Sequence, residues 1–159
     1  MRIRGSAVTA ALESVALTVW VGGMWTVGYL VAPVLFISLP DPMTAGLIAG
    51  RLFWITGYLG LGCGVFLLAA ALVRQGLHSL RHWRGQALLV MVAITLVGQF
   101  ILLPAMQRLK TLAHDRLVAG TPLAREFGHL HVVTSVLFLV CSLLGLALVT
   151  GGLRPCTRD

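Results

Sequence analysis

The side chains best suited to chemistry in this chain are a histidine, a methionine and a glutamine set in apolar surroundings. His131, Ser135, Phe138, Ser142 and Gly145 step by four, three, four and three residues, so on a helix they share one face. Met91, Thr95, Gln99, Leu102 and Met106 share a face of a second segment, and Ser14, Thr18, Gly22, Trp25, Tyr29 and Pro33 nearly do so on a third. Imidazole and thioether together suit copper or a haem iron. A pocket drawn from His131, Gln99, Met106, Tyr29, Trp25, Arg51 and Ser135 is therefore a candidate ligand site, with His131 as the candidate metal ligand. The competing reading is packing, in which His131 hydrogen-bonds a neighbouring backbone group or Gln99 and fixes how two helices meet.

Other reactive residues point more weakly. His129 lies about 160° around a helix from His131, so the two do not face one small pocket. His78 and His82 are four apart, as in a zinc pair, but sit among Arg74, Arg81 and Arg84 with no carboxylate or cysteine between them; a basic, lipid-facing loop is the expectation there. Glu13 could pair with Arg84 or Arg154, relay protons, or lie solvated at the interface. Cys63, Cys141 and Cys156 form no CxxC, and the first two behave as small apolar residues. No nucleophile elbow, phosphate loop or paired-carboxylate pattern is present.

The elements that must position these residues are four apolar stretches, at about 7–37, 42–73, 85–106 and 126–150. Each supplies the ~20 apolar residues that cross ~30 Å of hydrocarbon as a helix. The expected fold is all-α, a polytopic four-transmembrane-helix bundle in one domain, 1–159. Asp41-Pro42 and Thr121-Pro122 read as a cap followed by a first-turn proline, opening the second and fourth spans. Pro104, close to the end of the third, is expected to kink it rather than end it. From Ala105 to Ala119 apolar residues recur at helical spacing, so an amphipathic helix, or the third helix continued, is expected before the fourth. No internal repeat is read beyond the shared cap signal.

Composition agrees with this solvent. The chain is 58% hydrophobic, 11% charged and +7 in net charge, with mean hydropathy +0.93. The basic residues flank the spans, which argues for orientation in a bilayer and against nucleic acid. Arg2, Arg4, Arg74, Arg81, Arg84, Arg154 and Arg158 fall on one side, Arg51, Arg108, Lys110, Arg116 and Arg125 on the other. Both termini are expected in the cytoplasm. The apolar run behind Arg2 and Arg4 is too long for a signal peptide. Gly46-x-x-x-Gly50 and Gly60-x-x-x-Gly64, with Gly145, are close-packing signals for helices within the chain or between copies.

The motifs Trp20-Val21-Gly22-Gly23-Met24-Trp25, Tyr29-Leu30-Val31-Ala32-Pro33-Val34-Leu35-Phe36, Arg51-Leu52-Phe53, Leu103-Pro104 and Phe127-x-x-Leu130-His131 carry a resemblance. The chain is similar to a bacterial membrane family related to eukaryotic transmembrane protein 205. The resemblance implies a four-helix protein of the inner membrane and no established catalytic residues. Val132 stands where the bacterial pattern often has glycine. Three roles follow as expectations. The first is a structural or assembly protein, with a homo-oligomer or membrane-protein partner and no cofactor. The second is a module binding or transporting a soft metal or haem at His131. The third is a haem-linked membrane oxidoreductase similar to the haem J type of protoporphyrinogen oxidase, although no lysine in these spans matches that enzyme's.

Overall fold

A computed structural model describes residues 2–112 and 121–152. Four helices are long and apolar enough to cross a membrane: α1 (Val8–Ser38), α2 (Pro42–Arg74), α3 (Trp83–Leu112) and α4 (Pro122–Gly151). The third span is longer than the sequence reading of 85–106, because the helix passes through Pro104 to Leu112. Of the two readings for the segment after Pro104, continuation of the helix holds as far as Leu112. Residues 113–120, with Asp115, Arg116 and Leu117, and the tail with Arg154, Cys156 and Arg158, lie outside the described residues.

The caps form where the residue types require them. Asp41 accepts from the Met43 amide at 3.2 Å and the Thr44 amide at 2.9 Å, and from the Thr44 hydroxyl, satisfying amides that the first helical turn leaves open. These bonds, the Thr44 hydroxyl first, hold the Asp41 carboxyl below its usual range. Thr121 accepts from the Ala124 amide at 3.3 Å at the head of α4. Between α2 and α3, Gly76–Arg81 forms a short 3-10 turn rather than an open loop. It starts from Gly76 at φ +60°, a conformation that favours glycine. Gly85 then meets the Ser79 carbonyl so closely that no Cβ fits.

Each helix packs on its chain neighbours, and α4 closes the ring against α1. The centre is filled by Trp20, Val21 and Met24 from α1, Leu67 from α2, Met91 and Val92 from α3, and Cys141 and Leu148 from α4. The Trp20 indole lies on Gly60 and Gly64, where a side chain would strike it. In lipid the helices gain nothing from hiding oil from water, so close contact of this kind is what joins them. Most other large apolar residues face outward, as a hydrocarbon solvent requires.

Candidate functional site

Two prolines set the local geometry of the polar residues. Proline lacks an amide hydrogen and its ring collides with the preceding turn. In both α1 and α3 the helix answers by widening into a π segment just before the proline: Thr26–Val31 ahead of Pro33 and Gly98–Leu102 ahead of Pro104. The Ala32 amide bonds the Val27 carbonyl and the Leu103 amide the Gly98 carbonyl, each five residues back. Such bulges recur at functional sites and bend helices.

Each widened turn sends one polar side chain across the bundle. Tyr29 donates to the Ser142 hydroxyl of α4 at 3.2 Å. Gln99, 7% exposed, donates from Nε2 to the Trp54 carbonyl of α2 at 2.7 Å. Its amide lies against Gly57, where a Cβ would collide with it. Aromatic rings extend both links. Trp25, Tyr29, Phe138 and Phe53 form a run of edge contacts with centroids 5.6–5.8 Å apart. Tyr58 bridges Trp54 and Phe100 at 4.8 and 6.1 Å.

The predicted pocket residues are not gathered in one place. His131 is exposed on the outer surface of α4, its ring stacked on Phe127 at 6.4 Å. Its carbonyl accepts from the Ser135 hydroxyl at 2.8 Å, and Ser135 is also exposed. Gln99 is spent on Trp54 rather than on His131. The Met106 sulfur accepts from the Thr134 hydroxyl at 3.8 Å. Trp25 and Tyr29 are half exposed, and Arg51 faces outward. One helical face of α4 is thus buried at Ser142 and Gly145 but open at His131 and Ser135. The last stretch of α1, Ala32–Ser38, packs mainly on α2.

Other expectations resolve individually. Glu13 pairs with Arg74 rather than Arg84, in a two-oxygen contact at 2.8 and 2.9 Å that ties the base of the first hairpin, while Arg154 lies outside the described residues. His78 and His82 are neighbours, with ring centroids 5.0 Å apart, and both are exposed. Cys63 and Cys141 are free thiols. Among the described residues no three His, Cys, Asp or Glu side chains come together as a metal site. Gly60, Gly64 and Gly145 receive side chains from neighbouring helices, Gly46 lies near the Lys110 ammonium, and Gly50 has open space beside it.

The sequence reading missed a repeat. Val27-Gly28-Tyr29 precedes Pro33, and Val97-Gly98-Gln99 precedes Pro104. The residue after each glycine is the one that crosses to the other hairpin. The arrangement holds no nucleophile beside a base; chemically it is a pair of polar clasps. The sequence model of a family described as Domain of unknown function (DUF4149) matches residues 15–115, which takes in both clasp-bearing turns. No curated protein and no solved structure matches the chain.

Proposed function

We propose, for a chain that belongs to the DUF4149 family of unknown function, a structural or assembly role as a multi-pass protein of the bacterial inner membrane with both termini in the cytoplasm. It docks another transmembrane helix through the outward face of α1. The observation that carries this reading is the row Ser14, Thr18, Gly22 and Thr26, spaced by four and exposed throughout. Small residues at that spacing form the ridge along which membrane helices approach most closely. A Cβ added at Gly22 would meet nothing within 4 Å. The three hydroxyls bond carbonyls of their own helix, at 3.1, 2.8 and 2.8 Å, so the face asks for no polar partner from lipid. The likeness to transmembrane protein 205 belongs to the same reading and rests on the motifs from Trp20 to Phe36 and on Leu130-His131.

The test is association in mild detergent, with a second copy of the chain as the first partner tried. Two differently tagged copies are co-expressed and one is captured. Gly22→Leu is expected to abolish co-capture while the thermal unfolding curve stays in place, since that position is open. Gly60→Leu should instead unfold the protein, because Trp20 occupies the space. Co-capture unaffected by Gly22→Leu would overturn the docking face. Elemental analysis of the same preparation tests the metal reading. Near-stoichiometric iron or copper, lost in His131→Ala, would replace assembly with soft-metal or haem handling.

A further inference from the structure

Between the outer ends of α3 and α4 lies an open groove of about 460 Å³, within the range of small-molecule sites. Its walls include Phe100, Ile101, Pro104 and Leu130, and it holds two charged residues, Arg108 and Glu126. Arg108 belongs to the last described turns of α3, and Glu126 stands four residues after the start of α4 at Pro122. Both line this one groove at the same end of the bundle. They are exposed, and no ion pair joins them, in contrast to Arg74 and Glu13 at the base of the first hairpin. A single cation here would suit any anionic lipid. A cation and an anion sharing one apolar-walled groove suit a ligand carrying both charges on a greasy body.

We infer that this groove binds a zwitterionic phospholipid headgroup with a primary ammonium, as in phosphatidylethanolamine. The Arg108 guanidinium takes the phosphate through charge-assisted hydrogen bonds. Glu126 accepts from the ammonium, and an acyl chain runs along Phe100, Ile101 and Pro104. A choline headgroup has no N–H to give Glu126, and a glycerol headgroup has no positive charge to meet it, so both bind less well.

The experiment reconstitutes the full chain in vesicles of equimolar phosphatidylethanolamine, phosphatidylcholine and phosphatidylglycerol. Lipid retained per protomer is then read by native mass spectrometry. The ethanolamine lipid is expected to be retained over the other two. Glu126→Gln should lower its preference over the glycerol lipid by about two- to fivefold, while Arg108→Gln should reduce retention of all three. Both positions are exposed, so unchanged thermal unfolding of the variants is expected and checks that the fold persists. Equal retention of the three lipids by the parent protein, or a preference over the glycerol lipid that Glu126→Gln leaves unchanged, would overturn the assignment. So would saturable binding of soluble phosphoethanolamine without any lipid preference, which would make the ligand a free zwitterion.

Discussion

In α1 the widened turn ahead of Pro33 sends Tyr29 to a hydroxyl on α4; in α3 the widened turn ahead of Pro104 sends Gln99 to a backbone carbonyl on α2. The first contact is 3.2 Å long and leaves Tyr29 50% exposed. The second is 2.7 Å long, and its donor Gln99 is only 7% exposed. A main-chain carbonyl cannot move without the helix, and Gly57 has given up its side chain so that the Gln99 amide can reach it. The same backbone device thus yields a stiff joint in one hairpin and a yielding one in the other. Covering a donor in hydrocarbon, more than widening the helix, decides which joint holds.

The largest effect that would break this comparison is expected from Gly57→Leu. It drives a branched side chain into Gln99 and should cost about 3 kcal/mol, seen as a large fall in the unfolding midpoint in detergent. Next is the contrast between the crossing residues themselves. Gln99→Leu is expected to cost about 1–2 kcal/mol and Tyr29→Phe about 0.5 kcal/mol or less. Equal losses in denaturant unfolding would show that the two joints are equivalent. Glu13→Gln, at the base of the first hairpin, should cost less than about 1 kcal/mol, because both partners are partly exposed, and 1 M salt should erase the difference.

The smallest effect concerns Asp41 and pH. Its folded pKa is lowered, so its stabilisation is fully present above the unfolded carboxylate value of about 3.9 and is lost as pH falls through the lower folded value. Asp41→Asn keeps a capping side chain but does not titrate. Unfolding measured from pH 5 to pH 2 should show a shallower acid decline in that variant.

The spans and both caps were legible because each is a local property, set by a run of apolar residues or by a cap residue beside a proline. Pro104 reads as a kink rather than an end, and the helix there widens and continues; the widening itself carries no mark in the sequence. The clasp geometry was not legible. Gln99 stood out as a polar residue in a span, but its partner is the Trp54 carbonyl, and sequence gives no mark for a main-chain acceptor. His131 shows the limit of spacing from the other side. Regular spacing puts it on one face with Ser142, yet whether that face is covered depends on how the neighbouring helices pack. The repeated Val-Gly was visible all along. It was hidden by unequal spacing, with Pro33 four residues beyond Tyr29 and Pro104 five beyond Gln99.

The Trp20 indole, lodged on Gly60 and Gly64 at the middle of the ring, has an electrical consequence. A charge crossing a bilayer does work of about 2.3 kcal/mol per 100 mV, and cells hold that gradient only behind insulating walls. Trp20 is 2% exposed and Met91, in the same core cluster, is fully enclosed, so among the described residues the ring is filled with apolar side chains at this level. Abundant expression should leave the membrane potential intact. Trp20→Ala would be the substitution to watch for leak.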